Sequence, residues 1–178
     1  ALGSFHPACE ITEAVCVALS RVAPERSAPQ VYKIGMPNAV IGFTDSGQMW
    51  MDQGVDSRTM DTSAVEGIDG WGSCPAALGN LLLSQAEDAE SRFPIVNISR
   101  EMTTDSEGAG RWRGQPGSLN VKRVLKPTTA MAWMVSADYP LSGMCGGDAA
   151  SPYSSRFNVG TPEEHKIELS ANALLAAG

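Results

Sequence analysis

From residue 10 the apolar positions Ile11, Ala14, Val15, Ala18, Leu19 and Val22 recur at i, i+3, i+4, i+7, i+8 and i+11, the spacing of one face of an amphipathic α-helix. Pro24 stops it. The opposite face carries little charge, chiefly Glu13 and Arg21, so the pattern predicts a helix covered on more than one side. After a proline-bounded linker at residues 24–29 the period changes. Residues 31–34, 39–43 and 48–51 are short β-like runs, interrupted by Gly35 and Pro37. Residues 52–72 then scatter Asp52, Asp56, Asp61, Glu66 and Asp69 among Gly54, Gly67, Gly70 and Gly72, which reads as a long irregular loop or sheet edge.

Pro75 in a first helical turn, followed by Ala76, Ala77, Leu78 and Leu81 to Leu83, predicts a second helix ending near Ser91. Its acidic residues gather toward the C-terminal end, where the helix dipole disfavours them, and Arg92 is the local cation that offsets this. Phe93-Pro94 ends the helix, and residues 95–102 read as a strand with Ile98, Arg100 and Met102 on one face and Val96 partly with them. Residues 119–125 alternate, residues 128–135 are strongly apolar, and Lys126-Pro127 between them reads as a hairpin turn. Strand, glycine loop, strand, tight turn and strand make an antiparallel meander. A second glycine-rich loop covers residues 139–149, and beyond it only weak strands near 156–159 and 165–169 stand out.

The pattern gives an α+β fold with mixed, largely antiparallel strands and two main helices, and 178 residues suit a single segment, 1–178, with a sizeable core. Residues 1–7 lack a helix start and an initiating Met, and residues 171–178 stop without a polar tail, so the chain is expected to be part of a larger subunit fold.

A net charge of −7, with thirteen scattered Lys and Arg, argues against a nucleic-acid partner. No apolar run approaches the ~20 residues of a membrane span, and no basic segment precedes an apolar one, so the expectation is a soluble, cytoplasmic protein without a membrane partner. Cys9, Cys16, Cys74 and Cys145 form no Cys-x-x-Cys pair and have no His at ligand spacing. They read as reduced thiols behaving as small buried hydrophobes, although Cys9 and Cys16 are two helical turns apart and could share a face.

The densest special chemistry lies at residues 104–117, Thr-Asp-Ser-Glu-Gly-Ala-Gly-Arg-Trp-Arg-Gly-Gln-Pro-Gly, between two strands. Glycine allows tight folding and exposed amides, so Gly108, Gly110 and Gly114 with Arg111 and Arg113 are the candidate anion- or substrate-binding residues. The alternative is a structural loop that packs under Trp112 and joins two elements through the Arg-Trp-Arg triplet. No Gly-Lys-Ser/Thr motif occurs, so the nucleotide site is expected elsewhere. The acids of residues 52–69 fit no EF-hand spacing and read as solvated loop carboxylates rather than a hard-cation site. His6 and His165 have no Ser or Cys motif beside them, and Cys145 in the second loop has no neighbour that would lower its pKa. No catalytic residue and no metal ligand is assigned.

Residues 105–117 resemble the hydantoinase B/oxoprolinase family, whose members carry Asp-Ser-Gly-Gly-Ala-Gly-(Arg/Lys)-aromatic-Arg-Gly-Gly-x-Gly before a strand. Glu107 and Gln115 stand where the family has glycine, which stiffens the loop there. Glu87-Asp-Ala-Glu90 leading into Arg92-Phe93-Pro94 is similar to the family's acidic helix and Arg-aromatic-Pro element. Residues 139–147, Tyr-Pro-Leu-Ser-Gly-Met-Cys-Gly-Gly, resemble its Pro-x-Gly-x-x-Gly-Gly loop, and Glu10-Ile-Thr12 its Glu-Thr-Ser helix start, with Pro7-Ala8-Cys9 replacing the usual Gly-Asn.

The resemblance spans nearly the whole chain and implies the C-terminal portion of a family subunit, whose Asp and His metal ligands belong to an earlier segment. It implies a hydantoinase A-like ATPase partner that phosphorylates a carbonyl oxygen of a cyclic imide, lactam or ketone. The B-type subunit then directs hydrolysis or, in acetone and acetophenone carboxylases, carboxylation. ATP and a divalent metal (Mg, Mn or Zn) are expected elsewhere in the complex, none bound by this chain. The other partners implied are the remainder of the B-type subunit and a small-molecule substrate. Ring-opening hydrolysis of a hydantoin, oxoproline or lactam stands first, an acetone/acetophenone-type carboxylase second, and a non-catalytic assembly subunit is the competing class.

Overall fold

The computed structural model describes residues 6–29, 39–52, 63–71, 85–133, 140–167 and 170–175. The expected strand at 31–34, Asp56 and Asp61, Cys74, the second helix before residue 85, and Tyr139 lie outside the described residues.

Ala39–Phe43 (β1) and Met49–Asp52 (β2) form a hairpin in which Val40 faces Asp52 and Phe43 faces Met49. The turn closes where Thr44 N–H donates to Gln48 O at 2.8 Å and Gly47 takes a φ of 81°. Thr128–Trp133 (β5) pairs with β1 on one side and with Ser170–Leu175 (β8) on the other, giving a four-stranded antiparallel sheet in the order β2-β1-β5-β8. Strand β8 had no signature in the sequence. Ser-Ala-Asn-Ala-Leu-Leu lacks β-branched and aromatic residues, so its extended state comes from pairing with all six positions of β5.

Ile95–Met102 (β3) and Ser118–Val124 (β4) form a separate two-stranded ribbon joined by the glycine loop. Its register shifts between Asn97 and Ser99, an irregularity of the kind a bulge makes. Ile98, Arg100 and Met102, read as one face, are all exposed, and Ile95 and Val124 are the buried pair. The expected three-strand meander is also corrected. Lys126-Pro127 links two sheets rather than closing a hairpin, because β4 is satisfied by β3 while β5 takes β1 and β8. Leu125 N–H donates to Pro94 O at 2.9 Å, extending the ribbon past its last pair. Ser155–Phe157 (β6) and His165–Ile167 (β7) form a third small sheet near the two weak strands read from the pattern.

The first helix, His6–Ser20 (α1), starts earlier than residue 10, with Pro7 in its first turn, where a missing N–H costs nothing. It is not covered on more than one side: Ile11, Val15, Leu19 and Val22 are exposed and Glu13 is buried. The second helix, Ala86–Arg92 (α2), begins only after Gln85, whose extended backbone (ψ 145°) interrupts the continuous helix expected from Pro75. Arg92 pairs with Asp88 at 2.9 Å, the offsetting cation expected at this end. Glu90 accepts from the Asn97 N–H at 2.7 Å and from Asn97 Nδ2 at 3.1 Å, and these hydrogen bonds hold its carboxyl below its ordinary value.

These pieces share one core. Val40, Trp50, Ala89, Ile95, Val124, Ala130, Ala132, Phe157 and Ile167 cluster, with Phe93 packed against them. The Trp50 and Phe93 rings stack at 5.5 Å, which seats α2 on the four-stranded sheet. Lys122 of the ribbon reaches Asp52 of β2 at 2.7 Å, with both side chains largely buried. The described elements are mixed α and β with antiparallel strands. Among the described residues no helix is long and apolar enough to cross a membrane.

Candidate functional site

The loop after β3 is held by its own polar groups. Ser106 Oγ donates to Thr103 O and accepts from Gly117 N–H, both at 2.7 Å, and Thr103 N–H donates to Gly117 O at 2.8 Å, so the loop mouth is zipped shut. Asp105 takes a φ of 54°, a conformation Asp tolerates better than most side chains. Gly114 N–H donates to Gly108 O at 3.0 Å and draws the tip back onto its base. The Gly114 amide is therefore spent inside the loop. The N–H groups of Gly108 and Gly110 donate to no acceptor among the described residues.

The second glycine loop packs directly on the first. Asp148 N–H donates to Ala109 O, and Ser151 N–H to Ser106 O, each at 2.8 Å. A β-turn closes where Gly147 N–H donates to Met144 O, with positive φ at Cys145 (52°) and Gly146 (87°), the pattern of a type I′ turn. Contact is so close that a Cβ on Gly108 would stand 2.4 Å from Asp148 O, and one on Gly143 would stand 2.4 Å from Gly147 O. Backbone lies at both points, so these positions require glycine.

The two arginines play different parts. Arg113 is clamped: its N–H donates to Asp69 Oδ1 at 3.0 Å, its Nε lies 3.7 Å from Asp69 Oδ2, and its guanidinium lies 3.6 Å from Glu107 Oε1. Its carbonyl accepts from Gly70 N–H at 2.8 Å, so residues 69–70 are stitched to the loop. Arg111 instead lies over the Trp112 ring, 4.7 Å from its centroid, exposed and without a carboxylate partner among the described residues. Asp69 and Ser106 were not singled out in the sequence. Asp69 sat among acids read together as solvated loop carboxylates, and Ser106 lay inside a motif read for its glycines.

Between the two loops and residues 24–29 and 63–66 lies a cavity of about 990 Å³, lined by Glu25, Val65, Trp112, Leu141, Met144 and Tyr153 among others. Burial pushes the Tyr153 phenol well above its ordinary value, so at neutral pH it is a neutral hydrogen-bonding group. Gly108, Gly110, Arg111 and Gly114 line this space and Arg113 stands behind it. At the same place Glu107 Oε2 and both amide atoms of Gln115 are buried without hydrogen-bond partners.

Cys145, in the second glycine loop, is exposed at the type I′ turn rather than buried as expected of the four thiols taken together. Cys16 is half-buried, and both thiols are free. His165 lies exposed on β7, its ring edge-on to Phe157 at 5.6 Å. Among the described residues no three His, Cys, Asp or Glu side chains converge as a metal ion requires. Asp52 and Asp69 already face Lys122 and Arg113, so the described donors do not fit a divalent ion.

In sequence, the chain is 26% identical over 176 residues to the caprolactamase subunit beta of Pseudomonas jessenii, covering 94% of this chain and 30% of that protein. In structure it superimposes on the crystal structure of the ATP-dependent caprolactamase from the same organism with a TM-score of 0.70 at 20% identity, over 90% of this chain and 29% of that one. The chain thus spans less than a third of the length of these relatives. The profile of the Hydantoinase B/oxoprolinase family matches residues 1–177, all but the last position, and the chain belongs to that family.

Proposed function

We propose that this chain is the C-terminal portion of a hydantoinase B-type subunit in an ATP-dependent, multi-subunit amidohydrolase that opens a lactam or related cyclic amide. The observation that carries the reading is the family match over residues 1–177 together with the likeness to a caprolactamase beta subunit. That likeness favours hydrolysis over carboxylation. Overall, ring, water and ATP give the open amino acid, ADP and phosphate. The ATPase partner activates the carbonyl oxygen, and the B-type subunit directs water to the activated carbon.

The part taken by this chain is to bind and orient. An anionic activated substrate needs a cation and amides held in place before it arrives. Arg111, stacked on Trp112 beside the cavity, is the cation without a carboxylate partner, and Gly108 and Gly110 supply the unspent amides. Gly114 and Arg113 hold the loop's shape instead. No chemical step is assigned to a metal here, and the chain alone is expected to be inactive.

The experiment reconstitutes the chain with the rest of a B-type subunit and an A-type ATPase, then follows ring opening of ε-caprolactam, hydantoin and 5-oxoproline against ADP release. ATP-dependent opening of any of the three supports the reading. Bicarbonate-dependent carboxylation of a ketone in its place would overturn it.

A further inference from the structure

Helix α1 is turned inside out. Its inward face carries Glu13, 6% exposed, with Cys16 and Ser20 half-buried. At about 100° per residue these three lie together, opposite Ile11 and Val15. Those two are 64% and 51% exposed, Leu19 one turn on is 42% exposed, and Val22 in the turn after the helix is 80% exposed. Polar contacts hold this orientation: Ser27 Oγ donates to Cys16 O at 2.6 Å, and the helix end closes by Val22 N–H to Leu19 O at 3.0 Å. Among the described elements the main neighbour of α1 is the short 3₁₀ turn Pro24–Arg26. Single exposed apolar residues are ordinary, but three at i, i+4 and i+8 along one helical stripe, with Val22 just past its end, make a continuous ridge that water is left to cover.

We propose that this ridge is an internal docking surface, occupied in a family-length subunit by an apolar element of the polypeptide that the present 178 residues do not include. The inference rests on the reading of the chain as one portion of a B-type subunit. Length argues for that occupant: the chain covers 30% of the caprolactamase beta subunit and 29% of the solved caprolactamase chain, so most of such a subunit must pack around a segment like this one. An aliphatic ridge at helical spacing fits a groove between apolar side chains. A second copy is the weaker occupant. Each copy carries a net charge of −7, and one helical ridge of roughly 12 Å falls short of the ~1,200 Å² that stable dimers bury.

The test mixes the purified chain with recombinant caprolactamase beta subunit lacking its matched segment, reading affinity by titration calorimetry and mass by sedimentation. The wild-type chain is expected to bind, and the double variant Ile11→Glu/Val15→Glu to lose about tenfold or more in affinity. The near-isosteric Val15→Thr should lose part of it. Val159→Glu, at an exposed apolar position in the turn between β6 and β7, should bind like wild type. Circular dichroism and melting of the double variant should match wild type, because neither position is buried in this chain. Equal binding by wild type and variants, absence of binding, a wild-type homodimer that the double variant dissolves, or a collapsed helix in that variant would each overturn the proposal. Ridge-dependent binding without ring-opening activity would count against the enzymatic reading alone.

Discussion

The α-hydrogen side of Gly108 faces the carbonyl oxygen of Asp148 so closely that an added Cβ would stand 2.4 Å from it. This contact joins two loops forty residues apart in the chain, and Asp148 N–H to Ala109 O reinforces it at 2.8 Å. Gly108→Ala should therefore destabilise by about 1–3 kcal/mol, since backbone on both sides must move. Urea unfolding measures the cost, and hydrogen exchange at the Asp148 amide locates it. Gly117→Ala is the control: its Cβ would meet the Ser106 side chain at 3.4 Å (Oγ) and 3.9 Å (Cβ) and no backbone, so the loss there should be smaller.

The arginines separate in the same way. Arg113→Ala removes the guanidinium from both Asp69 and Glu107 and leaves the largely buried Glu107 carboxylate without its cation, so melting should fall clearly. Arg111→Ala removes a stacking contact worth about 0.5–1 kcal/mol at an exposed site, and melting should barely move. In the reconstituted enzyme the order should reverse, with Arg111→Ala lowering turnover while the complex stays assembled. Comparing melting curves with turnover for the two variants decides it.

Much of this was legible in the sequence, and the failures share a cause. The ribbon strands, the β5 run, both glycine loops and the Arg92 pairing follow from local rules of period, turn chemistry and dipole, and the family motif marks the candidate loop. What stayed hidden was set by partners distant in sequence. Strand β8 is extended because it pairs with β5, and Lys126-Pro127 changes sheets because β4 is already paired. Helix α1 shows the limit most clearly: its period was correct, but period says which residues share a face and not which face turns inward.

Lys122 and Asp52 tie the ribbon to the four-stranded sheet at 2.7 Å, with side-chain exposures of 11% and 8%. Removing the ammonium from a pair this buried takes a cation from the Asp52 carboxylate, so Lys122→Met should cost up to about 3–5 kcal/mol in urea unfolding. Lys126→Met, whose pair with Asp45 is exposed, should cost less than about 1 kcal/mol. Comparable losses for the two variants would refute the burial argument.

Glu90 and Glu164 both titrate below the ordinary glutamate value. For Glu90 the first cause is the Asn97 backbone N–H; for Glu164 it is the Gly160 backbone N–H, followed by the Arg156 side chain. A depressed carboxyl contributes stability that is present above its unfolded pKa and lost as pH falls through the folded one. Acidification below the ordinary glutamate range should therefore loosen the α2–β3 clasp and the turn between β6 and β7. Both carboxyls are solvent-exposed, so the effect should be local. NMR titration of the Asn97 and Gly160 amides reads it directly, and Glu90→Gln should flatten the Asn97 curve.

Gln115 buries both amide atoms without a hydrogen-bond partner among the described residues. An unsatisfied buried amide costs about 1–3 kcal/mol, whereas an apolar side chain of similar shape owes no such penalty. Gln115→Met should therefore raise the stability of the isolated chain, with a higher urea midpoint at unchanged slope. If Gln115 gains its partner only in the assembled subunit, the same variant should lose that advantage after reconstitution. A Gln115→Met chain less stable than wild type in isolation would mean that the amide is already satisfied, and measuring both states distinguishes a defect of the chain from a contact awaiting its partner.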